Sequence, residues 1–191
     1  LNISNTGVKA LATHEMRDST LMLKELLVSG RNVDGDGSCI ESFVKFVRLA
    51  PRLAVLHMTD VTCLSDSALA EILDDSTRCS SLQDLSIAGC CSLTCIGLEP
   101  LSKLTKLTKL DVSRLRQAVT DDNLAAVLSR NTLSELRASG TDLSSASMEA
   151  MLQSKLLHYA DISFCFGMGN DEQCGQLVTK SGSPIKIRLP R

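Results

Sequence analysis

The feature that most constrains the fold is a leucine pattern that recurs along the chain. A Leu-x-x-Leu-x-Leu core, with Val, Ile, Met or Ala replacing some leucines, occurs six times, and its first leucines are 30, 29, 25, 26 and 24 residues apart. The six copies begin at Leu23, Leu53, Leu82, Leu107, Leu133 and Leu157. A repeat of this length indicates small structural units that bury a continuous core only by stacking on their neighbours.

Each copy predicts a short strand followed by a helix. Within the core, apolar residues alternate with polar ones, which is the pattern of a strand with one buried face. After the core, apolar residues follow helical spacing, as at Leu69, Ile72 and Leu73. Partial copies at residues 1–3 and 187–189 predict a further strand near each end of the chain.

Residues that start helices stand where this scheme requires them. Ser65 and Thr120 precede helical runs, and residues 38–41 and 170–173 have the spacing of a capping box. Between the third and fourth cores, Pro100 is expected at the first position of a helix, where its missing N–H is tolerated.

Three segments carry a resemblance to a known family. Residues 79–90 read CSSLQDLSIAGC, residues 157–165 read LHYADISFC, and the helix entry at residues 119–124 reads VTDDNL. They resemble the cysteine-containing subtype of leucine-rich repeat, which is found in ribonuclease-inhibitor-like proteins and in F-box proteins that select substrates for ubiquitin ligases. The resemblance covers almost the whole chain.

This resemblance implies an α/β fold and a function in binding. The expected architecture is a right-handed leucine-rich-repeat solenoid shaped like a horseshoe, with a parallel sheet on the concave side and helices on the convex side. We expect a single domain over residues 1–191, with about six full repeats and partial repeats at both ends. An uncovered first strand would expose unpaired backbone groups, so we expect further repeats or a neighbouring subunit to cover the N-terminal edge.

Composition narrows the classes of partner. The 20 Lys and Arg residues nearly balance 22 Asp and Glu residues, for a formal net charge of −2, so no global positive field attracts nucleic acid. No stretch approaches the roughly 20 apolar residues that cross a bilayer, and we expect no membrane insertion. Eight cysteines, several inside hydrophobic patterns, favour buried thiols in the cytoplasm or another reducing intracellular compartment over a disulfide framework.

The candidate binding surface follows from strand geometry. Residues two and four places after the first leucine of each core point to the concave face. They mix both charge signs with a few apolar residues, which favours a protein as ligand over a phosphate backbone. With the loops that follow, the predicted protein-binding residues are Glu25, His57, Asp84, Lys109, Asp111, Arg114, Arg116, Glu135, Arg137, Tyr159, Asp161, Phe164 and Phe166.

One end of this surface is predicted to be its centre of binding. Tyr159, Phe164 and Phe166 are expected to cluster with Arg137, and aromatic residues with arginine are typical of binding hot spots. The alternative, that Phe164 or Phe166 packs inward as part of the terminal core, is equally compatible with the sequence.

Two metal sites are considered and disfavoured. Residues 34–38 read DGDGS like the start of a calcium loop, but Cys39 and Lys45 replace the glycine and glutamate that such a loop requires. The cysteines between positions 79 and 95 contain no Cys-x-x-Cys spacing, and Cys90 falls on a buried position of the repeat. We therefore predict no metal and no other cofactor.

Enzymatic chemistry has weak support in the sequence. His57 is expected one strand away from Asp84, as a base and its orienting group, but no Ser or Cys nucleophile is predicted beside them. No glycine-rich phosphate loop is present. Leu104 and Leu107 keep the phase of the repeat, so the run of Lys103, Lys106 and Lys109 is interpreted as solvated side chains and not as a basic binding patch.

The favoured function is therefore a non-enzymatic protein-protein interaction module that binds a protein on its concave face, as a substrate receptor or adaptor of a ubiquitin ligase. An alternative is a structural scaffold subunit of a large multiprotein assembly, and a remote alternative is an enzyme or nucleotide-binding protein.

Overall fold

The computed structural model describes residues 22–30, 38–74, 81–116, 118–130, 132–168 and 185–188, except for the side chains of residues 38, 39 and 166. In this part of the chain, seven strands form one parallel sheet in which chain order equals spatial order. They are β1 (Glu25–Ser29), β2 (Val55–Thr59), β3 (Asp84–Ser86), β4 (Lys109–Asp111), β5 (Glu135–Arg137), β6 (Tyr159–Asp161) and β7 (Lys186–Arg188). The strands predicted at the six cores and near residue 187 are confirmed, and residues 1–3 lie outside the described residues.

The register of the sheet explains why the leucine pattern repeats. The central apolar residue of each strand pairs with its equivalent on the next strand, which gives one straight ladder along the sheet. The ladder consists of Leu26, Leu56, Leu85, Leu110, Leu136, Ala160 and Ile187. Its first six members are at most 3% exposed. A shift of one residue in the register of any of these strands would therefore move a buried side chain into solvent.

Helices cover the face of the sheet on which this ladder lies. They are α1 (Ser38–Arg48), α2 (Asp66–Leu73), α3 (Cys95–Leu98), α4 (Asp121–Leu128) and α5 (Ser145–Gln153), with 3₁₀ helices at Glu99–Lys103 and Phe166–Met168. Their apolar residues, such as Leu69 and Ile72, join the strand residues in one hydrophobic cluster. The alternation of parallel strands and helices confirms the α/β leucine-rich-repeat fold. None of the helices described is long and apolar enough to span a membrane.

Two predicted helix starts are confirmed. The Ser65 hydroxyl accepts a hydrogen bond from the Ala68 N–H at 3.3 Å. Thr120 and Asn123 form a reciprocal capping box at the start of α4. The predicted start at residues 170–173 lies outside the described residues.

Pro100 does lie at the start of a helix, but not at the first position of its helical segment. The helical segment begins five residues earlier, at Cys95, where the Thr94 hydroxyl accepts from the Ile96 N–H at 3.3 Å. The Asp66 carboxylate of the preceding repeat in turn accepts hydrogen bonds from the Thr94 N–H at 2.8 Å and from the Thr94 hydroxyl at 2.6 Å. This contact between repeats fixes the start of α3, and Pro100 instead lies in the first turn of the 3₁₀ helix that continues it.

The buried cysteines behave as structural thiols. Cys90 is fully buried and its Sγ donates to the Met58 carbonyl at 2.9 Å, while the Cys165 Sγ donates to the Ala138 carbonyl at 3.1 Å. Burial raises the pKa of the Cys90 thiol to about 12, so the thiol stays protonated near neutral pH. Within the described residues no His, Cys, Asp or Glu cluster could hold a metal ion, and Cys79 and residues 34–37 lie outside them.

Candidate protein-binding surface

The sheet face opposite the helices, here called the concave face, carries two parallel rows of outward side chains. Each row takes one residue from every strand, because the register is unbroken from β1 to β7. The first row is Glu25, Val55, Asp84, Lys109, Glu135, Tyr159 and Lys186. The second row is Leu27, His57, Ser86, Asp111, Arg137, Asp161 and Arg188.

Polar side chains on adjacent strands contact one another within this face. His57 Nε2 lies 2.9 Å from Asp84 Oδ1, as the sequence predicted for these two residues. Lys109 Nζ lies 3.0 Å from Glu135 Oε1. Ion pairs that are this exposed contribute about 0–1 kcal/mol each, so their main effect is to hold the side chains in defined positions.

Asp161 is far less available than its predicted binding role requires. Only 9% of the residue is exposed, and its Oδ1 accepts from the N–H of Ser163 at 3.1 Å and from the Ser163 hydroxyl at 2.5 Å. Its Oδ2 faces Arg188 Nη1 at 3.5 Å. Both carboxylate oxygens are therefore engaged, one by hydrogen bonds just after β6 and the other by the contact with Arg188 on β7.

The centre of the concave face contains a shallow cavity of about 210 Å³. It is lined by six of the predicted binding residues together with three others that the prediction did not include. The nine are His57, Thr59, Asp84, Ser86, Lys109, Leu110, Asp111, Glu135 and Arg137. The structure thus brings the middle of the predicted set together and leaves Glu25, on the edge strand β1 of the described sheet, outside the cavity.

Ser86 corrects one expectation about this cavity. It stands opposite His57 in the register of β2 and β3, so a serine does lie beside the His57–Asp84 pair. Its residue is 4% exposed, and its Oγ has no hydrogen-bond partner among the described residues. Because His57 Nε2 is directed at Asp84, the serine and histidine do not form the hydrogen bond that would activate a nucleophile.

Arg137 is exposed and lines the same cavity. It has no ion pair or side-chain hydrogen bond with any residue that the structure describes, although Asp111 and Asp161 flank it in the register. Asp111 directs its Oδ1 to the Ser113 N–H at 3.0 Å, and Asp161 is occupied as above. Tyr159 lies half-buried on the neighbouring strand.

A column of turns borders the concave face where the strands end. Four residues after the central ladder residue, five repeats place a residue with a positive φ between 58° and 72°. This turn column consists of Asp60, Gly89, Arg114, Gly140 and Phe164. Glycine marks this conformation in the sequence at only two of the five positions, so the positive φ at the other three was not predicted.

The turn column holds two of the predicted binding residues. Arg114 Nη2 forms a 2.8 Å ion pair with Asp60 Oδ1, which reaches across the intervening Gly89. Phe164 is 50% exposed, so it does not pack inward. Arg116 is exposed and pairs through its backbone with Thr141, and the side chain of Phe166 lies outside the described residues.

Comparisons with known proteins show that the fold is similar to those of solved structures. No protein-family model and no curated protein matches the sequence. Among solved structures, the chain is similar to one in the crystal structure of the Rad7 and Elc1 complex in yeast, at 15% identity and a TM-score of 0.45, covering 94% of this chain and 64% of that chain. It is also similar to the tropomodulin C-terminal domain of Caenorhabditis elegans, at 18% identity and a TM-score of 0.44, covering 91% of this chain and 90% of that one.

This chain therefore spans less than two thirds of the chain that it matches in the yeast complex. Neither likeness identifies a partner. The leucine-rich-repeat fold is established by the repeated leucine pattern together with the seven parallel strands that alternate with helices.

Proposed function

We propose that this chain is a non-enzymatic protein-interaction module that binds a protein on its concave face. One observation carries the proposal: the two outward rows of a seven-stranded sheet border a central cavity lined by charged side chains. One of these side chains, Arg137, has no ion pair with any residue that the structure describes. At roughly 4.8 Å between strands, the six intervals of the sheet span about 29 Å, which suits an interface of standard size.

The finer proposal is that the module serves a ubiquitin ligase as substrate receptor or adaptor. Its support is the resemblance of residues 79–90, 119–124 and 157–165 to the cysteine-containing repeats of F-box proteins. Such a role belongs in the cytoplasm or another reducing compartment, which agrees with the buried thiols of Cys90 and Cys165.

The test is affinity purification with mass spectrometry at moderate salt. The wild-type chain is compared with a Tyr159→Ala, Arg137→Glu variant. Arg130→Glu serves as the control, because Arg130 is also exposed but follows α4, on the helical side. We expect a protein partner that the double variant loses and the control retains. Loss in both variants, or in neither, would contradict binding through the concave face.

The identity of the recovered proteins separates the finer alternatives. Ubiquitin-ligase subunits among them support the receptor or adaptor role. A large assembly retained in constant proportion, without ligase subunits, favours a scaffold subunit instead.

A further inference from the structure

The links that lead from each helix to the next strand lie along one edge of the molecule, here called the strand-entry edge. The sheet is parallel and its register is straight, so all strands begin at this edge and each helix returns the chain to it. The described residues of these links are 22–24, 49–54, 74, 81–83, 104–108, 129–130, 132–134 and 154–158.

The strand-entry edge is positively charged. Five of its links contain one Lys or Arg each, and all five side chains are exposed and form no ion pair among the described residues. They are Lys24, Arg52, Lys106, Arg130 and Lys155. The described residues of the links contain one carboxylate, Asp74. Lys106, interpreted from the sequence as a solvated lysine, thus belongs to a row of cations from different repeats, which the net charge of −2 conceals.

The opposite edge, where the strands end, does not share this charge. Its described links combine Asp60 and Asp142 with Arg114 and Arg116. The helix dipole explains only part of the contrast, because its attraction for cations fades within the last turn of a helix. Arg52 lies four residues beyond the end of α1.

Exposed aliphatic side chains stand among the cations of the strand-entry edge. Met22 is 64% exposed, Leu49 51% and Leu156 55%. Met22 Sδ lies 3.7 Å from Arg52 Nη1, at the link before β2. Leu156 precedes β6, four strands further on, or about 19 Å at roughly 4.8 Å per strand. The aliphatic side chains are therefore too dispersed to form the single buried centre that is typical of a protein interface.

A fluid anionic surface fits this combination of side chains. Lipid headgroups move to meet cations that have no fixed partner, and single aliphatic side chains enter between the headgroups wherever they stand. The phosphate backbone of a nucleic acid offers no apolar contact to the aliphatic side chains. The described links also contain no Phe, Tyr or Trp on which the bases of a single strand would stack.

We propose that the strand-entry edge docks on the surface of a membrane that contains anionic lipids, without insertion of a helix. The cations pair with the negative headgroups, and Met22, Leu49 and Leu156 enter the interface. In this orientation the strands run away from the membrane, so the concave face stays open to a protein partner. The inference goes beyond the proposed function, which concerns the concave face alone.

The test is cosedimentation of the full chain with vesicles of phosphatidylcholine, prepared with and without phosphatidylserine. We expect binding only to vesicles that contain phosphatidylserine, and weaker binding as salt is raised, because salt screens exposed charges. Lys155→Glu should weaken binding by about fivefold or more, the contribution of one cation near an anionic surface. Lys45→Glu is the matched control, because it changes the net charge equally but lies exposed on α1, outside the links, and should have a clearly smaller effect.

A second set of variants tests the aliphatic side chains. Leu49→Ser combined with Leu156→Ser should weaken binding by about tenfold, because about half of each leucine is exposed and available for burial. Ile96→Ser is the control, since Ile96 is 66% exposed but lies in α3, away from the strand-entry edge. Far-UV circular dichroism of each variant confirms that the fold is retained.

Three results would overturn the inference. The first is equal binding to both kinds of vesicle, or binding to neither. The second is a loss of binding in the controls as large as in the edge variants. The third is tighter binding to polyglutamate or to a DNA fragment than to the anionic vesicles, which would assign the edge to an acidic protein or to a nucleic acid.

Arg130→Glu separates this inference from the proposed function. It should retain the protein partner in the affinity purification and weaken binding to the anionic vesicles. Retention of both would reject membrane docking and leave the proposed function standing. Loss of the protein partner with vesicle binding intact would contradict both assignments of surface.

Discussion

At the scale of single residues, the turn column shows how strongly the repeat dictates backbone conformation. Asp60, Arg114 and Phe164 adopt a positive φ that side chains with a Cβ avoid, at positions equivalent to Gly89 and Gly140. Each such residue costs of order 1–3 kcal/mol, and it persists because the surrounding hydrogen bonds fix the turn. The N–H groups of Gly89, Arg114 and Gly140, for example, donate to carbonyls of the next repeat at 2.7–2.9 Å.

Substitution of the two glycines of the column should have unequal effects. Gly89→Ala and Gly140→Ala both strain the left-handed turn, by about 1–2 kcal/mol. A Cβ on Gly89 would also lie 2.1 Å from Asp60 Oδ1, whereas one on Gly140 meets nothing nearer than 3.9 Å. Because Gly89→Ala also displaces the exposed Asp60–Arg114 ion pair, it should lower the free energy of unfolding by up to about 1 kcal/mol more than Gly140→Ala does. Urea denaturation measures this difference.

The control for this difference is the Asp60→Ala background. There the ion pair is absent, and the two glycine substitutions should destabilise the protein equally. A persistent excess for Gly89→Ala would show that something other than the ion pair occupies the space above Gly89.

At the scale of helices and strands, an aspartate in the first turn of one helix holds the cap of the next. Asp66 does so for Thr94, and Asp121 does so for Ser144, whose N–H and hydroxyl it accepts at 3.0 and 2.5 Å. Asp121 also accepts the Ser147 hydroxyl. Neighbouring helices are therefore joined by polar contacts outside the apolar core.

This arrangement makes stability depend on pH. Burial tends to raise the pKa of Asp121, but the hydrogen bonds from Ser144 and Ser147 outweigh it and lower the pKa below its ordinary value of 3.8. The stability that the carboxylate provides is complete above that value and is lost as the pH falls through the lower, folded-state pKa. Asp121→Asn should thus lose stability near neutral pH and show a shallower decline on acidification below pH 4.

Urea denaturation at several pH values measures both effects. Asp122→Asn is the control, since Asp122 lies in the same first turn but is exposed and makes no such contact with the next helix among the residues described. Parallel stability curves for the wild type and Asp121→Asn would contradict this role of Asp121.

At the scale of the whole molecule, each repeat is stabilised by the neighbours that seal its core. Leu85, on β3, is fully buried between Leu56 and Leu110, whereas Ile187 on β7 is partly buried and has one partner strand among those described. Leu85→Ala should therefore cost about 2–5 kcal/mol in the free energy of unfolding, and Ile187→Ala clearly less. Equal losses in urea denaturation would mean that the described end of the sheet is packed as tightly as its middle.

The fold could be predicted from the sequence because one physical requirement recurs at every repeat. The ladder from Leu26 to Ala160 must be buried, and this makes its pattern visible in the chain. The start of α3 could not be predicted in the same way, since Thr94 is selected by its contact with Asp66, 28 residues away.

The position of the binding surface could be predicted from the sequence, but the pairing and burial of its polar side chains could not. The register follows from the cores, so the sequence locates His57, Asp84 and Arg137 on the concave face. Which charges pair depends on side-chain directions across strands. The sequence therefore did not show that Arg137 has no ion pair among the described residues, nor that the Ser86 hydroxyl is buried. Thr59, at the end of β2, was missed because the prediction considered two outward positions per strand.

The straight ladder of the sheet also fixes a length scale for whatever lies across it. Outward side chains recur at about 4.8 Å from strand to strand, while an extended peptide advances about 3.4 Å per residue. The two spacings come back into step only after about five strands and seven residues, so an extended segment crossing the strands cannot meet successive strands with successive side chains. An extended segment that lies at right angles to the strands therefore cannot make an equivalent contact with every strand, and this favours one main point of attachment over a series of equal ones.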